Sequence, residues 1–271
     1  MLSEGGPTAK ILAGGTDIIV LARERRRKVE LFVDIKHIAE VMELSFDPSK
    51  GLTVGAATPL HKVYNDPNVN KHYTALAQSA HVIGGTAIQG RASLGGNLAN
   101  SGPAGDSIPA QMALNGTALS AGPGGRREVA IQDFCTGPGQ NVLQPGELIV
   151  SLHFPAPVPH SASDWERFIP RNEMDIAVTN SATYLVFDGD VVTEARIALG
   201  AVAPTVLMVP EAARTLIGKP LTDESIAAAG EAAKAAATPI DDMRGSIQQR
   251  KHLSAVLTER TIRRAAERAR A

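Results

Sequence analysis

The sequence predicts an α+β protein in two parts, a first domain built of two small α/β subdomains and a smaller one with an antiparallel sheet and helices. Three observations carry this. A strand, glycine turn and helix open the chain, and a window with seven glycines follows at Ile83–Asp106. A proline-rich stretch without periodicity, Pro155–Ser163, then interrupts the pattern. Beyond it lie two long apolar strands joined at Asp188-Gly189-Asp190, followed by two helices. The expected boundaries are 1–160 for the first domain, divided near residue 57, and 164–271 for the second.

Taken in order, Lys10-Ile11-Leu12 is a short strand, Ala13-Gly14-Gly15-Thr16-Asp17 a tight turn, and Ile18–Ala22 a helix. The basic run Arg23–Lys28 is expected to be the solvated end of that helix, with a docking surface for an acidic partner as the alternative. Val29–Ile35 reads as a strand. Leu52–Ala56 reads as another, preceded by a turn at Asp47–Gly51. Helices are expected from Thr58 and over Thr74–Val82. Ser93–Asn97 reads as part of a glycine loop. Ala118–Ser120 and Arg126–Ile131 are strands around a Gly-Pro-Gly-Gly turn at 122–125. In Leu148–Phe154 the alternation places Leu148, Val150, Leu152 and Phe154 on one face and Ile149 on the other. Pro155–Ser163 reads as a linker. Val178–Phe187 and Val191–Gly200 form the hairpin. Thr222 is an N-cap for an alanine-rich helix that stops before Pro239, and Ile247 to the end is a helix with basic last turns.

Two stretches point to chemistry. Seven glycines within one window exceed what a surface turn needs, and they let backbone approach a ligand closely. Asp106 closes the window and is also placed to cap a helix over Ile108–Leu114. The upstream turn at Ala13–Asp17 matches neither a dinucleotide nor a Walker fingerprint. Paired with Ser93–Asn97, it suggests two backbone clamps on one diphosphate. A plainer alternative for the window is a long flexible loop.

The 271-residue chain can bury a core without disulfides or metals. Its 27 basic and 28 acidic residues carry no nucleic-acid-like bias. The single cysteine, Cys135, excludes an intrachain disulfide and a cysteine-held iron–sulfur cluster in this chain alone, and reads as a buried small hydrophobe. The seven histidines show no metal-ligand spacing. No apolar run reaches membrane-span length and the N-terminus lacks signal-peptide features, so a cytoplasmic location is expected.

Six segments taken together resemble the FAD-binding medium subunit of the molybdenum hydroxylase family, typified by carbon monoxide dehydrogenase and xanthine dehydrogenase. They are ILAGGTDI (11–18), VGAATPL (54–60), SLGGNLANSGPAGDSIPAQMAL (93–114), FCTGPGQNVLQPGELIVSL (134–152), RNEMDIAV (171–178) and DDMRGSIQQRKHL (241–253). Family members usually carry a strand and a helix before the first glycine turn, so the N-terminus reads as short. The resemblance implies a two-subdomain FAD-binding domain of the vanillyl-alcohol-oxidase/PCMH type. It implies FAD, with a first loop at Ile11, Leu12, Ala13, Gly14, Gly15, Thr16, Asp17 and Ile18 and a second at Ser93, Leu94, Gly95, Gly96 and Asn97; no histidine falls in either loop, so noncovalent FAD is expected. Ile83 and Ile149 would line the cofactor, Ile149 near the isoalloxazine ring; core packing is an equal alternative for Ile149. Asp106 would contact the nucleotide. Arg167 stands where nicotinamide-using relatives often have a lysine, and a surface arginine is the other reading. Asp175 is expected to cap or to dock the domains, and Arg244 and Arg250 to be structural. The partners implied are a molybdenum-cofactor large subunit and a [2Fe–2S] small subunit, so that this chain passes electrons through FAD to an acceptor. Two rivals stand beside this: a stand-alone flavin oxidase of the same fold superfamily, and an assembly module that has lost FAD.

Overall fold

The computed structural model describes residues 2–271. The elements are β1 (Ala9–Leu12), α1 (Ile18–Arg23), β2 (Leu31–Asp34), β3 (Leu44–Asp47), β4 (Gly51–Gly55), α2 (Leu60–Asn65), α3 (Pro67–His72), α4 (Thr74–His81), α5 (Thr86–Gln89), α6 (Leu94–Asn100), α7 (Ser107–Ala113), β5 (Thr117–Gly122) and β6 (Gly125–Ala130). They continue with β7 (Cys135–Gly137), β8 (Gln140–Asn141), β9 (Leu148–Phe154), β10 (Ser161–Phe168), β11 (Thr179–Asp188), β12 (Val191–Gly200), β13 (Leu207–Met208), α8 (Pro210–Arg214), α9 (Asp223–Ala236) and α10 (Ile247–Arg270).

The chain is α+β, as expected. β1 and β2 pair in parallel with α1 crossing between them. A five-stranded antiparallel sheet runs β3-β4-β9-β5-β6 and takes strands from both sides of residue 57. Helices α2, α4, α6 and α7 bury Leu60, Leu76, Leu94, Leu98 and Ile108 in one core with Leu52, Leu152 and Phe154 of that sheet. Sequence alternation in β9 fails at one point. Leu119 faces Ser151 and Ser120 faces Ile149, so Val150 is an extra residue, a β-bulge. Beyond it the faces exchange. Leu148 and Val150 pack with Ile35 and Val41, whereas Ile149, Leu152 and Phe154 share the main core.

The second sheet runs β10-β11-β12-β13. One face meets α8, α9 and α10 through Leu185, Phe187, Ile197, Ala229 and Ile262. The other presents Trp165, Ala182, Tyr184 and Ala198 to the core of the first half. Both faces being covered, β11 reads as a continuous buried run. Its buried Ser181 and Thr183 meet Thr258 and Thr261 of α10 through hydroxyls. Thr222 makes the expected cap, with Ser225 completing a capping box.

Two expectations are corrected. The stretch read as a linker through Ser163 ends at His160, because β10 begins at Ser161. Its polar sequence hid a strand: Asp164 and Glu166 face α10, where Arg264 binds both and Arg268 binds Asp164. The basic last turns of α10 thus dock on β10, while the run Arg23–Lys28 stays exposed. Finally, the Ser93–Asn97 loop is mostly the first turn of α6, and β3 and α3 were not foreseen.

Candidate functional site: a cleft between two glycine turns

The turn after β1 and the start of α6 lie 77 residues apart in sequence at their fastening point, yet touch. The Arg91 guanidinium donates to the Gly14 carbonyl at 3.3 Å. A Cβ on Gly14 would stand 2.1 Å from the Arg91 carbonyl oxygen, so only glycine permits this approach. Gly95 is constrained in the same way, since its Cβ would lie 2.6 Å from the Ala56 backbone. The residue following β4 is thus in backbone contact with α6. Leu60 N–H donates to Ala92 O at 2.9 Å, and Pro59 bridges Ser93. Ser93 caps α6, its hydroxyl accepting from Gly96 N–H at 3.1 Å.

Between the turns lies a cleft of about 250 Å³. Thirteen of the seventeen site residues expected from sequence line it: Ile11, Ala13, Gly14, Gly15, Thr16, Asp17, Ile18, Ile83, Ser93, Gly95, Gly96, Asn97 and Ile149. The N–H groups of Gly14, Gly15, Thr16 and Asp17 have no hydrogen-bond acceptor among the described residues. Four uncommitted N–H groups on one cleft wall form an anion-binding concavity. Partial burial pushes the Asp17 carboxyl up from its ordinary range. Aliphatic side chains from Ile35, Leu148 and Ile149 supply apolar wall, which suits a ligand with a charged middle and a flat apolar end.

The remaining four do not line the cleft. Leu94 is fully buried in the core behind it, and the Leu12 carbonyl is taken by Ile35 N–H. Asp106 sits at the N-cap position of α7 but makes no capping bond. Its carboxylate instead accepts from Arg167 at 2.6 Å, both side chains being buried. The other oxygen, Oδ1, is buried without a partner, and Asn180 faces it outside hydrogen-bonding geometry. Burial pushes the Asp106 pKa up to about 6 against the opposing pull of Arg167. Arg167 is therefore no surface arginine. It also donates to Val82 O at 3.0 Å and to Asp175 O at 3.3 Å, so it braces the residue preceding Ile83. It borders a separate cavity of about 580 Å³ beside α4.

Asp175 caps within its own loop, accepting from Arg171 and Ile176 N–H groups. Arg250 is structural, donating to Val178 O, Ala201 O and Asp242. Cys135 is half-buried at the core edge, less enclosed than expected. Sequence reasoning missed Lys10 and Arg27 in the cleft lining. Lys10 adjoins the first motif, and Arg27 lay in the run read as solvated.

The family model for the FAD binding domain in molybdopterin dehydrogenase matches residues 1–157. The chain belongs to this family. A second model, the CO dehydrogenase flavoprotein C-terminal domain, matches residues 167–265. The chain is 31% identical over 257 residues to a putative xanthine dehydrogenase FAD-binding subunit of Escherichia coli (strain K12), covering 94% of this chain and 88% of that one. It is 29% identical over 262 residues to the carbon monoxide dehydrogenase medium chain of Hydrogenophaga pseudoflava, covering 97% and 91%. Among solved structures it is similar to carbon monoxide dehydrogenase from Hydrogenophaga pseudoflava lacking the Mo-pyranopterin moiety of the molybdenum cofactor. That match has a TM-score of 0.94 and 29% identity, and covers 98% of this chain and 92% of the other. Quinoline 2-oxidoreductase from Pseudomonas putida 86 superposes with a TM-score of 0.91 at 29% identity, covering 99% and 93%. The protein is thus an FAD-binding oxidoreductase subunit of the molybdenum hydroxylase family. No helix among the described residues is long and apolar enough to cross a membrane.

Proposed function

We propose that this chain is the electron-transfer subunit of a molybdenum-containing hydroxylase or dehydrogenase complex. Its partners are a large subunit with the molybdenum cofactor and a small subunit with [2Fe–2S] clusters. Electrons pass from those clusters through FAD on this chain to an external acceptor. The observation that carries the reading is the nest of free N–H groups at Gly14–Asp17, fastened by backbone contact to the start of α6. The medium-chain and FAD-subunit relatives, matched over nearly their whole length, support it further.

Bound FAD supplies a centre that accepts single electrons and releases a pair. The protein's part is positional. The Gly14–Asp17 N–H groups and the first turn of α6 hold the diphosphate, since their partial charges offset its two negative charges without a buried lysine. Ile83 and Ile149 shape the apolar wall. Asp106 and Arg167 act on this wall from behind, through Val82. Among the described residues, no histidine or cysteine lines the cleft, which supports noncovalent attachment. The domain division is 1–160 for FAD and 164–271 for the second domain.

The test uses the chain alone and the chain copurified with its partner subunits. An organic substrate of the complex should bleach the flavin anaerobically only when the partners are present. Steady turnover of that substrate by the isolated chain would contradict the proposal.

A further inference from the structure

The cleft wall carries charge that the glycine turns do not account for. Lys10, from β1, and Arg27, between α1 and β2, both line it. Among the described residues, neither side chain has an ion-pair or hydrogen-bond partner. Of the cations around them, Arg26 is held by Glu24 at 3.0 Å, Lys28 by Glu30 at 2.7 Å and Arg91 by Gly14 O, while Arg23 and Arg25 do not line the cleft. Among the described residues, Asp17 is the one carboxylate in the lining, and it is exposed to solvent. The lining therefore holds two uncommitted cations against one acid. Lys10 is half-buried and Arg27 exposed, so both can reach inward without the desolvation cost of a buried charge.

We propose that Lys10 and Arg27 are anion contacts for the diphosphate-bearing half of the cofactor, and that they make the cleft prefer a diphosphate flavin to a phosphate-free one. The inference rests on the FAD reading above. The backbone N–H groups fix where the diphosphate lies but cannot move. The two long side chains close on it from the open side, and their contribution is screened by salt.

The full chain is compared with Lys10→Gln, Arg27→Gln, the double variant and Arg27→Lys. Binding of FAD and of riboflavin is followed by flavin fluorescence at low and high salt. Each Gln substitution should weaken FAD by about two- to fivefold at low salt, as expected for exposed ion pairs. The double variant should lose most of the salt dependence, Arg27→Lys should keep it, and riboflavin affinity should not move. Unchanged FAD affinity and salt dependence in the double variant would overturn the proposal. Equal losses for FAD and riboflavin would also overturn it, because they would mean wall shape and not charge. A wild-type chain that binds no FAD would remove the FAD reading itself and this inference with it.

Discussion

Replacing Gly14 by alanine tests whether the two turns must touch. The added Cβ would stand 2.1 Å from the Arg91 carbonyl oxygen, 2.6 Å from its carbon and 3.0 Å from the next nitrogen. All three are backbone atoms and cannot rotate away. Restoring ordinary contact at 3.4 Å requires the turns to separate by about 1.3 Å, the difference between 3.4 and 2.1. That shift also stretches the Arg91–Gly14 hydrogen bond, already 3.3 Å, past its limit. One clamp then loses its grip on the diphosphate. A hydrogen bond to a charged group contributes about 1.5–3 kcal/mol, so FAD affinity should fall roughly 10- to 100-fold. The fold should survive, losing about 1–3 kcal/mol as other overpacked sites do. Gly124→Ala, where a Cβ meets nothing within 4 Å, is the control. FAD titration and thermal unfolding of both variants read the two effects separately. Wild-type FAD affinity in Gly14→Ala would refute the contact argument.

Other perturbations have equally definite outcomes. The raised pKa of Asp106, about 6 against an ordinary 3.8, means that the folded chain holds this proton more tightly than the unfolded one. The stability it gives is present below about pH 4 and lost as pH rises through 6, a change of about 3 kcal/mol. Urea unfolding at pH 4 and 7 should show Asp106→Asn gaining on wild type by that order; a pH-independent difference would contradict the assignment. Arg250→Ala strands the Ala201 carbonyl, removes one of the two donors to the Val178 carbonyl and breaks the pair with Asp242, and should cost about 3 kcal/mol, read by chemical denaturation. Thr222→Ala removes the α9 cap and should cost about 1 kcal/mol in the same assay.

Local rules were legible where local physics decides. The hairpin at Asp188–Asp190, the Thr222 cap and the first glycine turn all follow from residue chemistry over a few positions. The two clamps of the cleft were legible because backbone approach demands glycine at Gly14 and Gly95, and glycine is visible in sequence; Ile83 and Ile149 came only from the family resemblance. What failed depended on distant partners. β10 looks polar because its Asp164 and Glu166 meet arginines about 100 residues away on α10. The alternation in β9 breaks because of pairing with β5, which no window of β9 contains. Arg167 could not be placed because its partner, Asp106, lies 61 residues upstream and was assigned to the ligand. Arg27 looked solvated because only the fold brings the segment before β2 to the cleft.

The most direct test of the central claim is the visible absorption spectrum of the purified chain, recorded before and after adding excess FAD and desalting. A retained flavin band whose FAD is released intact on denaturation is expected, as a noncovalent cleft between two backbone clamps requires. A folded chain that retains no flavin, or a band that stays with the denatured polypeptide, would contradict it.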